Sequence, residues 1–407
     1  MTATRWLAPG AALLLAGCAG TPPPAGHGAP LDAACSTASA AITFDIETAP
    51  HPVCTVLGED AFALLITPEH APPINPSPWY AFRYSARGGQ GILVRLDYLE
   101  AKHRYAPKLL RAGAVTPLAV TVAPDGHSAE VTLPAGEGVV AAQEPFGQSR
   151  YDGLLARLAR LPRTERIELG RSLDGRPVAG IRLGQPTAPA LVVLLGRQHP
   201  PETTGAVAME AFLEALSEQM QADPRIGARI QFLAVPELNP DGVARGHWRA
   251  NRGGEDLNRD WGDFSQPETR AVKTWLDALP GSVRPVAMLD FHSTWRNLFY
   301  VQGEAETTAA EERFLQGWLG HPIDGYPFTI ERRDANPGSG TAKTWFNRTY
   351  AIPSYTYEVG DDASLDATRQ AARVLALSFI SRVNELLDLW YAARVPVARV
   401  VGAKVVQ

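Results

Sequence analysis

The sequence predicts an α/β fold, a mixed sheet flanked by helices, preceded by a small β-sandwich. Three observations carry that prediction. Strand-length apolar runs recur at residues 191–195, 232–235, 286–289 and 354–357, and stretches with helical spacing lie between or after them at 206–220, 268–279 and 366–387. Such alternation implies a sheet with helices on its faces. Upstream, residues 40–144 hold only short β-like runs, with one weak helical candidate at 106–111. Finally, chemically distinctive side chains follow directly on the apolar runs, which places them at the sheet edge where open α/β folds bind ligands.

In chain order, residues 1–18 are a targeting segment. Arg5 supplies the positive charge, and residues 6–16 form an apolar core interrupted by Pro9 and Gly10, too short to span a bilayer. The segment ends Leu15-Ala16-Gly17-Cys18, which resembles a bacterial lipobox and makes Cys18 the expected site of lipidation. Ala19 at the next position, rather than Asp, resembles sorting to the outer membrane. The expectation is an exported lipoprotein held to the membrane through its lipid anchor, facing the periplasm or the cell surface. Residues 19–34, rich in Pro, Gly and Ala, form a flexible tether. Two cysteines remain, Cys35 and Cys54, and an even pair in an exported protein implies a disulfide worth roughly 3 kcal/mol on the chain-entropy model; two free buried thiols are the alternative.

Residues 35–147 are expected to form the β-sandwich. Residues 81–84 and 92–98 have strand length, and 119–122 and 129–133 flank Pro124-Asp125-Gly126, a hairpin turn sequence. Residues 148–395 are expected to form the second domain, followed by a tail at 396–407. This domain opens with a helix over 152–161, apolar at Leu154, Leu155, Leu158 and Leu161 and stopped by Pro162. Strands at about 167–169 and 178–183 enclose a turn before the apolar runs begin. The whole chain has 407 residues, 45% hydrophobic and 20% charged, with a net charge of -5. That balance suits two globular domains and gives no reason to expect nucleic acid as a partner.

The chemistry centres on the loop after residues 191–195, Gly196-Arg197-Gln198-His199-Pro200-Pro201-Glu202. His199 and Glu202 lie three apart between a strand and a helix, so an imidazole nitrogen and a carboxylate oxygen can converge on one point. Those are two of the three protein ligands of a catalytic zinc, whose fourth position stays open for water. Alone, H-x-x-E is weak. Its company is Leu238-Asn239-Pro240-Asp241-Gly242, Trp248-Arg249-Ala250-Asn251-Arg252, Asp256-Leu257-Asn258-Arg259-Asp260-Trp261, Asp290-Phe291-His292 and Ser354-Tyr355-Thr356-Tyr357-Glu358.

In that order these segments resemble the zinc metallocarboxypeptidases, over residue 151 to about 387. The upstream Ser77-Pro78-Trp79-Tyr80-Ala81-Phe82-Arg83 resembles, more loosely, the cytosolic carboxypeptidase branch, which includes tubulin deglutamylases. The resemblance implies one zinc per chain on His199, Glu202 and His292, with Glu358 as general base. It implies that Arg252 stabilises the tetrahedral oxyanion, and that Asn258 and Arg259 grip the terminal carboxylate of a peptide or protein substrate. Asp290 either orients a metal ligand from behind or is plain structure. Counting back from Glu358, Lys343 falls near the pocket for the C-terminal side chain, where a basic residue would favour Glu, Asp or another residue with a second carboxylate.

Two departures stand out. Pro201 precedes Glu202 where digestive members of the family often carry arginine, and residues 336–340 lack the tyrosine that closes over substrate in those enzymes. The expected activity is hydrolysis of the peptide bond next to a free C-terminal carboxylate. A cell-wall stem-peptide carboxypeptidase or amidase on the same zinc site is the alternative within enzymes. A catalytically silent peptide-binding lipoprotein is the alternative from another class. Oligomeric state leaves no trace in the sequence.

Overall fold

A computed structural model describes residues 35–392, apart from 88 and 336. Cys18, the targeting segment, the tether at 19–34 and the tail at 396–407 therefore lie outside the described residues. Ten strands come first: β1 (Ala40–Thr43), β2 (Val53–Gly58), β3 (Ala61–Ile66), β4 (Ala81–Ala86), β5 (Ile92–Tyr98), β6 (Lys108–Arg111), β7 (Ala114–Pro117), β8 (Thr121–Val122), β9 (Ser128–Leu133) and β10 (Gly136–Ala141). They form two five-stranded sheets, in the orders β1-β4-β10-β6-β7 and β2-β3-β5-β9-β8. All pairings are antiparallel except β3 with β5. Alternate residues of β5 (Ile92, Val94, Leu96 and Tyr98) point into one core with Phe62, Leu64, Phe82, Tyr84, Val131 and Leu133. Cys35 and Cys54 are joined at its edge, their Cα atoms 5.7 Å apart.

The helical candidate at 106–111 is a strand instead. Pro107 offers no amide to a helix, and Ala112 and Gly113 take φ of 50° and 80°, closing a two-residue hairpin in which Arg111 faces Ala114. The turn at 124–126 closes as its sequence implies, although β8 keeps only two residues of the run at 119–122.

Next come α1 (Gln148–Leu158), β11 (Thr164–Arg171), β12 (Pro177–Leu183), β13 (Ala190–Gly196), α2 (Thr203–Ala222), α3 (Pro224–Arg229), β14 (Ile230–Val235), α4 (Pro240–Ala244), α5 (Pro267–Asp277), β15 (Arg284–Thr294), β16 (Leu298–Val301), α6 (Ala309–Leu319), β17 (Arg332–Asp334), α7 (Ala342–Tyr350), β18 (Ser354–Gly360) and α8 (Leu365–Ala392). The eight strands form one mixed sheet, β11-β12-β14-β13-β15-β18-β16-β17. Its centre is parallel, β14 with β13, β13 with β15, and β15 with β18.

Every residue of β13 is buried, as a strand covered on both faces must be. Its side chains divide by period two. Val192 and Leu194 join the core under α2 and α8, whereas Leu191, Val193 and Leu195 join the core under α5 and α7. Among the described residues no helix is long and apolar enough to cross a membrane. One boundary differs from expectation in a way that matters for the site. β15 runs on through Asp290 and His292 to Thr294, so these polar residues lie within the strand rather than beyond it.

Candidate active site

Three elements deliver the metal-ligand candidates. His199 sits in the loop after β13, Glu202 stands at the residue before α2, and His292 stands near the end of β15. The approach of α2 to β15 depends on Gly205, where a Cβ would meet the His292 carbonyl oxygen at 2.5 Å. Ser293 Oγ reinforces it, accepting from the Gly205 amide at 2.8 Å and lying 2.8 Å from Thr204 Oγ1.

The resulting geometry is compact. His199 Nδ1 lies 2.8 Å from Glu202 Oε1, and His292 Nδ1 lies 2.8 Å from Glu202 Oε2. The two Nδ1 atoms are 3.2 Å apart, so two imidazole edges face one point beside a carboxylate. Each ring turns its other nitrogen to a carboxylate, His199 Nε2 to Asp256 Oδ1 at 3.0 Å and His292 Nε2 to Asp290 Oδ2 at 2.8 Å. That is how proteins fix the tautomer and ring plane of metal-binding histidines. Two nitrogens and a carboxylate, all within 4.8 Å of one another, fit a zinc ion with one position free. Asp290 is held in turn by the Gln198 side-chain amide at 2.6 Å, so it stands behind His292.

Glu358 arrives by register. β18 pairs in parallel with β15 so that His292 is opposite Glu358, and partners in a ladder share a face. Its Oε2 is buried with no hydrogen-bond partner. Burial pushes its carboxyl up to about 7; the imidazoles of His292 and His199 oppose the rise, and the Glu202 charge adds to it. A dication at the histidines would pull it down again. Glu202 shows the opposite balance: burial raises it, but the two histidines outweigh burial and hold it below the usual carboxylate range.

Arg252 is not among the residues that the fold brings together. It is exposed, and its nearest anion is Asp174, with Nε 3.5 Å from Oδ1. The arginine turned toward the metal donors is Arg249, three residues earlier. Its Nε donates to Asp256 Oδ2 at 2.8 Å, and the other oxygen of that carboxylate is the one on His199. Burial raises the Asp256 carboxyl, but His199, Arg249 and Arg259 together hold it well below the usual range. Sequence reasoning assigned neither Arg249 nor Asp256 a role, although both stand inside the W-R-x-x-R and D-L-N-R segments.

Asn258 is buried, with Nδ2 3.5 Å from His292 Nε2, and its Oδ1 accepts from the Ala342 amide at 3.0 Å. Arg259 stays exposed beside it and donates from Nη1 to the Asn258 carbonyl at 2.6 Å. The loop before α7 presses on Arg259 so closely that a Cβ on Gly340 would lie 2.2 Å from the Arg259 carbonyl oxygen. Lys343 follows Ala342 and is 3% exposed. Its Nζ donates to the Val301 carbonyl at 3.0 Å and to Gln302 Oε1 at 3.2 Å, both neutral acceptors. Burial pushes its ammonium down to about 8.

Two histidines and a glutamate at the edge of a mixed α/β sheet, backed by carboxylates and flanked by a glutamate with a free oxygen, form a candidate metal centre. Residues 154–381 match the family model described as zinc carboxypeptidase, and the chain belongs to that family. An uncharacterised protein of Zymomonas mobilis is 34% identical over 137 residues, 33% of this chain and 36% of that protein. Cytosolic carboxypeptidase 6 of Caenorhabditis elegans is 30% identical over 182 residues, 42% of this chain and 40% of that protein. The chain thus spans well under half the length of these relatives. A metallo-carboxypeptidase from Burkholderia cenocepacia superposes with a TM-score of 0.73 at 18% identity, covering 85% of this chain and all of that one, so the two share a fold.

Proposed function

We propose that this protein is a zinc-dependent exopeptidase that removes the C-terminal residue of peptides or proteins, with a preference for a C-terminal residue bearing a second carboxylate. The observation that carries the reading is Glu358. Its Oε2 is buried with no hydrogen-bond partner, and strand register sets it beside His292. A carboxylate oxygen left free beside the metal donors can take a proton from a water within hydrogen-bond reach.

The bound ion would supply Lewis acidity toward the scissile carbonyl and the attacking water. The residues supply the rest. Glu358 accepts the water's proton at Oε2 and passes it to the departing amine. Arg249, pinned through Asp256 at the metal donors, places a fixed cation where the carbonyl oxygen gains charge. This role goes to Arg249 because Arg252 faces Asp174. Asn258 and Arg259 offer an amide and a guanidinium fork to the terminal carboxylate, which a fork fits in a bidentate manner.

Lys343 supports the acidic preference. It is a buried ammonium with only neutral hydrogen-bond partners, one residue from Ala342, whose amide is tied to Asn258. A substrate carboxylate would satisfy that charge. A stem peptide ending in diaminopimelate shares with one ending in glutamate the second carboxylate, with an ammonium beside it. Purified protein offered both, with Leu-ending and Lys-ending controls, tests the reading: cleavage of acidic ends first supports it, and equal turnover of all four refutes the preference. The silent binding reading predicts no turnover at all. We place the working protein at the outer membrane as an exported lipoprotein anchored at Cys18, with residues 35–147 and 148–395 as its two domains.

A further inference from the structure

The β-sandwich reaches the catalytic loop through one carboxylate. Glu69 lies just after β3. Its Oε1 accepts from the amides of Arg249 and Ala250, each at 2.7 Å, and its Oε2 accepts from the amide of Trp248. Three consecutive amides of an irregular loop therefore converge on one anion from a segment about 180 residues away in sequence. No strand or helix covers residues 248–250, so no ladder satisfies these donors or sets the direction of the loop.

Beyond the Arg249 amide the connection continues inward. The guanidinium bonds Asp256, and Asp256 bonds His199. A second contact braces the same loop, because the Trp248 indole packs on the β-sandwich core and donates to Tyr105 Oη at 2.9 Å. Tyr105 is itself fixed by Tyr80, whose hydroxyl donates to the Tyr105 carbonyl at 2.9 Å. This gives the Ser77–Arg83 segment, which carried the looser resemblance, a physical link to the site.

We infer that Glu69 is a positioning residue for Arg249: the β-sandwich sets the place of the active-site guanidinium by clamping its backbone through this carboxylate. The inference rests on the proposed role of Arg249. Charge-assisted bonds to three amides hold a loop more firmly than neutral ones, and a displacement of about 1 Å in a positioned group can cost on the order of a hundredfold in rate.

The test is a double-mutant cycle on the full chain loaded with zinc, comparing the parent with Glu69→Ala, Arg249→Ala and the double variant. Metal content and thermal unfolding are measured on each. Glu69→Ala is expected to lower kcat by roughly tenfold or more, with KM little changed and zinc still bound. In the Arg249→Ala background the same change is expected to cost less than about twofold, since a residue acting through another loses its effect when that other is gone. Glu69→Gln keeps the oxygen facing Arg249 and Ala250 but turns an amide on the Trp248 donor, so its kcat should fall between parent and alanine. It also stands in for Glu69→Ala if that variant does not fold. Equal losses in both backgrounds would overturn the positioning role and leave that of Arg249 intact. Parental kcat in Arg249→Ala would overturn both.

Discussion

Replacing Lys343 by alanine removes a cation whose hydrogen-bond partners are neutral, although the charges of Glu306 and Asp334 act on it, and the consequence can be worked out from these surroundings. The ammonium is 3% exposed and bonded only to the Val301 carbonyl and Gln302 Oε1. An ionic partner supplied by the substrate would form a charge-assisted contact worth about 1.5–3 kcal/mol. Losing it should lower kcat/KM about 10- to 150-fold for a peptide ending in Glu, because about 1.4 kcal/mol is a factor of ten. The matched Leu peptide should change little.

The pH dependence has a definite sign. Burial holds the ammonium down to about 8 in the free enzyme, and kcat/KM reports ionisations of the free enzyme. The attractive charge is thus complete well below pH 8 and lost as pH rises through it. The Glu-over-Leu ratio should fall across that window in the parent and stay flat in Lys343→Ala. Taking the ratio of two peptides cancels ionisations common to both. A ratio that is unity in the parent, or unchanged by the substitution, would refute the assignment.

Two further predictions concern the arginines of the loop and the cysteines. Arg249→Ala should slow turnover by a factor on the order of 10²–10³, as loss of a positioned oxyanion partner does, whereas Arg252→Ala, an exposed residue paired with Asp174, should stay within about threefold; the reverse order in steady-state kinetics would restore the sequence assignment. At the N-terminal end, Cys18→Ser should abolish acylation in a membrane-fraction mass spectrum, while Cys35 and Cys54 should resist alkylation until reduced; an unacylated parent, or rapid labelling of native protein, would contradict the respective claim.

The metal donors and the place of Glu358 beside them were legible because regular structure fixes them. His199 and Glu202 flank a strand-to-helix loop, and His292 and Glu358 stand on neighbouring parallel strands, where period two and register decide direction. The same spacing put Asp290 on the strand face of His292, but left open whether it orients the ligand or is plain structure.

The arginines were not legible. Arg249 and Arg252 share an irregular loop in which no periodicity says which side chain turns inward, and the loop is shaped by Glu69 and Tyr105 from a distant part of the chain. Asp256 went unassigned because its role exists only once His199 is folded against it. Short strands such as β16 and β17 carry too few residues for a pattern. The strand at 108–111 was hidden because its defining feature, positive φ at Ala112, is a tertiary outcome in a residue that rarely adopts it.

The central claim, a zinc site served by a separate carboxylate base, is tested most directly by Glu358→Gln, with metal content and turnover measured on the same preparation. About one zinc per chain is expected in both parent and variant, since Glu358 is not among the three donors. Turnover is expected to fall roughly 10²–10⁴-fold, as removal of a general base should cause, and a chelator to inactivate the parent reversibly. Near-parental turnover by the zinc-loaded variant, or parental activity that survives complete removal of the metal, would contradict the claim.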